Sequence, residues 1–192
     1  MGDEKLREIH LRISARCYEQ LQRIASEDDL PLSVLILGNR MRRIDYVEKG
    51  LARLAFSHFP IDSLHQSARR AAEVSECAGE DGHFWEVHDL FFAKQVGLLE
   101  TLREPNLGKE LQRLGVDAKR LTSCMAGEVS ERVDQMSKAA SSLKVTGTPT
   151  FFFGLADGPG SVRVKKRLED AVSSAEMGAI IDTLVKESAL VK

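Results

Sequence analysis

An α/β fold is predicted, on three observations. An apolar run, Arg53-Leu54-Ala55-Phe56-Ser57-His58-Phe59, stops at Pro60 and reads as a strand. Helical patterns then fill most of residues 67–143. Finally Val145-Thr146-Gly147-Thr148-Pro149-Thr150 is a small-residue turn running into the aromatic strand Phe151-Phe152-Phe153, with a return strand and a last helix behind it.

Taken in order, residues 8–13 alternate Glu8, His10 and Arg12 against Ile9, Leu11 and Ile13, which predicts a strand with one exposed face. Ser14 can cap a helix carrying Cys17, Leu21, Ile24 and Ala25 on one apolar face. A polar turn over 26–31 follows, and Ser33 can cap a second helix over 34–47. After the 53–61 strand come helices from 67 to 76 and through Phe84-Trp85, the latter with an aromatic stripe of the kind that packs in a core. Two short helices, 107–114 and 118–125, flank Gly115-Val116-Asp117, and 128–143 is another amphipathic helix. Gly147 offers the turn at 145–150 a backbone freedom other residues lack. Pro149 has no N–H for a ladder and belongs at the first position of its strand, and an ordered X-Pro bond in such a turn is a candidate for the cis form. Asp157-Gly158 signals a hairpin. Residues 161–167 return as a strand, and 175–187 form an amphipathic helix with Met177, Ile180, Ile181 and Leu184 on one face.

The turn at Thr148-Pro149-Thr150, the strand ending at Pro60, the segment from Cys77 through Gly82-His83-Phe84-Trp85 to Phe92, Leu114-Gly115-Val116-Asp117 and Leu121-Thr122-Ser123-Cys124-Met125 occur in an order that closely resembles DsbA-like thiol–disulfide oxidoreductases. The likeness spans roughly residues 44–187. It implies a thioredoxin-like fold, residues 44–192, interrupted by a helical domain over about 67–140, with residues 1–43 a strand–helix–helix extension. It also implies a peptide or thiol substrate met by Thr148, Pro149 and Thr150 through an exposed strand edge. Cys77 and Cys124 fall where the family's helical domain often places cysteines, so the resemblance makes a disulfide between them possible in an oxidising compartment, and a pair of thiols in a reducing one.

One family feature is missing. Disulfide exchange uses a thiolate at a helix N-terminus, where orphan N–H groups lower the thiol pKa, and a second cysteine three residues on resolves the mixed disulfide. The family carries that Cys-x-x-Cys just after its first strand. The three cysteines here, Cys17, Cys77 and Cys124, include no such pair. Cys17 is the candidate nucleophile of a degenerate site, with Arg16 beside it; against this, a cysteine on an apolar helix face behaves as a small inert hydrophobe.

Residues 1–43 resemble a second family, the ribbon–helix–helix repressors. That resemblance implies a homodimer paired through the N-terminal strand, with Glu8, His10 and Arg12 facing base edges and Ser33 a phosphate. The charge argues the other way. Residues 1–50 carry nine Lys/Arg and nine Asp/Glu, whereas DNA-binding domains show a basic footprint. The expectation is therefore a redox-degenerate relative of DsbA that keeps peptide or thiol binding, with a DNA-binding regulator as the alternative.

The whole chain has 192 residues and a net charge of −2, which gives no reason to invoke nucleic acid or a membrane surface. No run approaches the ~20 apolar residues of a membrane span, and the polar start Met1-Gly2-Asp3-Glu4-Lys5 lacks a signal-peptide pattern, so the cytoplasm is the expected compartment. No metal is expected: His83 and His88, five apart, lie about 500° apart around a helix. No phosphate loop or Ser-His-Asp set is present, and no cofactor is expected.

Overall fold

The computed structural model describes residues 10–12, 32–37, 45–48, 51–156 and 161–189. Its strands are β1 (His10–Arg12), β2 (Leu32–Leu37), β3 (Arg53–Ser57), β4 (Thr150–Ala156) and β5 (Ser161–Glu169). Its helices are α1 (Asp45–Glu48), α2 (Ala68–Gly79), α3 (Phe84–Ala93), α4 (Leu98–Thr101), α5 (Asn106–Arg113), α6 (Ala118–Met125), α7 (Val129–Ser142) and α8 (Ser174–Ala189). The chain divides into two units: Met1–Ser57 with Val145–Lys192, and His58–Lys144.

In the first unit the strands form one sheet in the order β1-β5-β4-β2-β3. β2 and β3 are parallel, with Leu35 opposite Ala55. β2 and β4 are antiparallel, with Leu35 opposite Phe152, and β4 and β5 are antiparallel across a register shift at Phe153/Gly154. That arrangement is the thioredoxin-like sheet, and β2 is an interior strand between β4 and β3. Leu32-Ser33-Val34-Leu35-Ile36-Leu37 is nearly continuously apolar, the pattern of a strand with neighbours on both edges.

Here the structure departs from the sequence reading, which placed a helix over 34–47. A six-residue apolar run satisfies helical and strand templates alike. The strand wins because β4 and β3 supply ladder partners along it; among the described residues of that stretch, Asp45–Glu48 is helical. β1 joins the sheet at its edge, antiparallel to β5, with Leu11 opposite Val162. Within the chain its partner is β5.

The core of this unit alternates along β4. Phe151 and Phe153 point to one face, where they pack with Ala52, Met177, Ile181 and Leu184. Phe153 and Ile181 are wholly buried, and each side chain of that size contributes about 1.5–3 kcal/mol by leaving water. Tyr46 on α1 packs against the same cluster and donates its hydroxyl to Asp182 Oδ1 at 2.8 Å, tying α1 to α8. Phe152 points the other way, fully buried, with the Arg167 guanidinium 5.4 Å from its ring centroid. Gly154 sits at the bulge because nothing larger fits: a Cβ there would stand 2.3 Å from the Arg163 carbonyl oxygen.

The second unit is helical. Val74, Ala78, Val87, Phe91, Leu107, Leu111 and Val116 form its core, drawn from α2, α3, α5 and the turn before α6. The turns are set by local chemistry. Gly82 and Gly115 take left-handed φ values of 85° and 82°. Asp117 caps α6 by accepting the Arg120 N–H at 2.8 Å. Asp81 accepts the Asp117 N–H at 2.9 Å and the Arg120 guanidinium at 2.8 Å. The Asp117 N–H, helped by Arg120, therefore holds the Asp81 carboxyl below its usual range.

Candidate functional site

The proline turn sits at the start of β4. The Thr148–Pro149 peptide is cis. The Thr150 hydroxyl donates to the Gly147 carbonyl at 2.8 Å, and the Pro149 carbonyl accepts the Asp170 N–H at 3.0 Å. Thr150 is paired on both sides, opposite Leu37 in β2 and Glu169 in β5. The left-handed residue of this turn is Lys144, φ 58°, and not Gly147. The three residues that sequence nominates for substrate contact therefore differ. Thr150 is buried with its hydroxyl engaged, Pro149 is half-buried with its carbonyl engaged, and Thr148 is exposed. Among the described residues Thr148 has no hydrogen-bond partner, so its N–H and C=O are the groups an incoming backbone could use.

The other nominated positions are not gathered into one site. His10 and Arg12 lie on the edge strand β1, opposite Arg163 and Ser161. Ser33 lies inside β2, opposite Arg53 and Gly154, and caps no helix. Glu8 and Cys17 fall outside the described residues. The paired ribbon and helix cap that the DNA-binding alternative needs are thus not what His10–Arg12 and Ser33 form. Residues 38–44, which follow β2 where the resembled family carries its redox pair, read Gly-Asn-Arg-Met-Arg-Arg-Ile and contain no cysteine.

The sulfur chemistry of the described residues lies in the helical unit. Cys77, late in α2, and Cys124, late in α6, form a disulfide with Cα atoms 5.6 Å apart. Their surroundings are unequal. Cys77 is 1% exposed and Cys124 is 9% exposed, with Val129 packed against both. The Arg132 guanidinium donates to Cys124 Sγ at 3.2 Å and to Glu80 Oε1 at 2.8 Å. Cys124 also lines an open cavity of about 600 Å³.

A second feature escaped the sequence reading. His58 and Glu76, eighteen positions apart, are both buried, with Nε2 and Oε1 3.3 Å from each other. Local spacing offers His58 no carboxylate; the helical register of α2 supplies one. His88 is buried beside Phe84, Trp85 and Phe92, with ring centroids 5.9, 5.4 and 4.6 Å away. Burial pushes its pKa below the ordinary value, against the opposing pull of Asp89 at 3.1 Å. Among the described residues no group of three or more His, Cys, Asp or Glu could hold a metal ion. No described helix is long and apolar enough to cross a membrane.

Comparison with known proteins agrees with this geometry. The model of the DSBA-like thioredoxin domain matches residues 14–172. Among solved structures the chain resembles alpha-DsbA1 of Wolbachia pipientis, with a TM-score of 0.67 and 16% identity over 84% of this chain and 89% of that one. BdbD of Bacillus subtilis gives 0.60 and 19% over 83% and 90%. DsbA2 of Pseudomonas aeruginosa gives 0.59 and 21% over 82% and 90%. At these identities the likeness is one of fold. In sequence the chain is 34% identical over 141 residues to the Na(+)/H(+) antiporter NhaA 3 of Salinispora tropica, and 36% identical over 131 residues to NhaA 1 of Salinispora arenicola. Those matches take in 71% and 66% of this chain but only 19% of either antiporter's length.

Proposed function

The chain belongs to the DSBA-like thioredoxin-domain family of thiol–disulfide oxidoreductases, and from that premise we propose that it binds an extended peptide or thiol at Thr148 without running the family's Cys-x-x-Cys cycle. The observation that carries this reading is the division of labour in the proline turn. Pro149 and Thr150 are spent on holding the turn, which leaves the exposed Thr148 backbone to pair with a strand. Recognition of that kind takes its affinity from main-chain hydrogen bonds and its selectivity from neighbouring side chains. The second half of the reading rests on absence of a nucleophile: no cysteine lies within 38–44. A mixed disulfide formed elsewhere on the first unit would have no partner three residues away to resolve it.

The test is fluorescence anisotropy with a labelled extended peptide containing one cysteine. A hydrogen bond contributes about 0.5–1.5 kcal/mol net, so losing one of the two at Thr148 should weaken binding by about two- to tenfold. Two perturbations ask for the same loss: N-methylation of the peptide at the paired residue, and Thr148→Pro, which deletes the donor. Pro149→Ala, which frees φ and adds an N–H at the strand's start, should weaken binding as well. Equal affinity for the methylated and unmethylated peptides would remove the basis for this reading.

A further inference from the structure

We propose that Cys124 and Cys77 form a second thiol–disulfide exchange site, in which Cys124 is the nucleophile and Cys77 the resolving thiol, acting on low-molecular-weight thiols and disulfides. An exchange pair needs three things: an accessible sulfur with a stabilised thiolate, a partner sulfur within bonding reach, and an approach for the reagent. The helical unit supplies each of them.

Access distinguishes the two sulfurs. Cys124 lies within the cavity of about 600 Å³, whose rim carries the exposed Arg120, Ser123, Gly127 and Glu128, whereas Cys77 is buried at 1% exposure. Charge distinguishes them too. Arg132 reaches Cys124 Sγ at 3.2 Å, and its other terminal nitrogen is held by Glu80 at 2.8 Å, so the guanidinium is fixed in place. Cys124 lies in the last turn of α6, where the helix dipole disfavours an anion. A full positive charge in contact outweighs the fractional charge of a helix end. The carboxylates facing the same cavity, Glu80 and Glu128, oppose the thiolate, and Glu80 is already bound by Arg132. Arg120 adds positive charge at the rim while paired to Asp81 at 2.8 Å.

Exchange runs as two displacements. The Cys124 thiolate attacks one sulfur of a small disulfide R–S–S–R, forming Cys124–S–S–R and expelling RS⁻. Cys77 gives its proton to water, and its thiolate attacks Cys124 Sγ, forming the Cys77–Cys124 bond and expelling the second RS⁻. The protein dithiol loses two electrons and two protons, and the small disulfide is reduced to two thiols. The reverse sequence begins with RS⁻ entering the cavity and attacking Cys124. Cys124 is recessed at 9% exposure, so the site suits small reagents rather than disulfides held within folded proteins. This inference is independent of peptide pairing at Thr148, which involves neither cysteine.

The full chain, reduced with dithiothreitol and freed of reductant, is alkylated with iodoacetamide across pH 5–10, and modified cysteines are assigned by peptide mass mapping. Cys124 should react at least about tenfold faster than Cys77 at neutral pH, with a midpoint below the ordinary thiol value of ~8.5. Arg132→Gln should raise that midpoint by about one pH unit, and Arg132→Lys should restore most of it. A chromogenic aromatic disulfide added to the reduced Cys17→Ser chain should release two aryl thiolates per chain and leave no adduct. Cys77→Ser in that background should release one and hold the adduct on Cys124; if that variant fails to fold, the two-thiolate release by its parent decides. An adduct on Cys77, an Arg132→Gln midpoint equal to the original, or loss of the far-ultraviolet circular dichroism on reduction would each overturn the proposal.

Discussion

The bulge in β4 offers a sharp test of how the proline turn is held. Gly154→Ala would place a Cβ 2.3 Å from the Arg163 carbonyl oxygen, 2.7 Å from Val162 Cγ1 and 2.9 Å from the Arg163 carbonyl carbon. Ordinary contact begins at 3.4 Å, so β5 would have to retreat by about 1 Å. Two of the three obstructing atoms are backbone, which no rotamer change can move. Overpacking of that kind costs about 1–3 kcal/mol, and a backbone clash belongs at the upper end. For a chain of this size about 3 kcal/mol lowers Tm by roughly 6–12 °C. Gly147→Ala, seven residues earlier, is the matched control. Its Cβ meets nothing within 4 Å and its φ is not left-handed, so the change should be neutral or should stabilise by about 0.4–1 kcal/mol through the unfolded chain. Thermal unfolding followed by circular dichroism compares the two. Equal Tm values for the two variants would refute the claim that close approach of β4 to β5 selects glycine at 154.

Further consequences follow from burial and charge. Leu107→Ala, at 1% exposure in the helical core, should lose about 2–5 kcal/mol in urea unfolding; Leu99→Ala, at 54% exposure, should stay within about 0.5 kcal/mol. Asp117→Ala removes the α6 cap and should cost about 1 kcal/mol in the same assay. His88 is held below 6.5 by burial, so beneath that pH the unfolded chain takes up a proton that the folded chain refuses. Stability should therefore fall as pH drops from about 6.5, well before the carboxylates titrate. His88→Phe should flatten that slope in urea midpoints measured between pH 7.5 and 5.5, and an unchanged slope would show that His88 is not its source.

Much of this architecture is written in local patterns. Asp117, with its side chain ahead of Arg120, marks the start of a helix without any knowledge of the fold, and Ala118–Met125 follows as expected. The strand at 161 and the last helix with Met177, Ile181 and Leu184 inward are likewise set by period, and the missing N–H of Pro149 keeps it just ahead of β4 rather than at its first position. The interior strand β2 is harder to see. Leu32–Leu37 is too short for its period to separate helix from strand, and Ser33 is as good a cap as it is a strand residue. What decides between them is the pairing with Phe151–Leu155 and with Arg53–Ser57, which are distant in sequence. The same limit explains the His58–Glu76 pair and the Arg132 contact to Cys124. Each joins residues from different elements, and no spacing rule announces them. Likewise sequence offers Thr148, Pro149 and Thr150 as equals, whereas hydrogen bonding leaves Thr148 alone uncommitted among the described residues.

Insulin reduction by dithiothreitol asks whether the scaffold, as proposed, holds substrate without the family's dithiol turnover. Turbidity should rise at the rate of dithiothreitol alone when purified chain is added, because residues 38–44 offer no thiol and Cys124 is recessed. A rate clearly above that of dithiothreitol alone would contradict it.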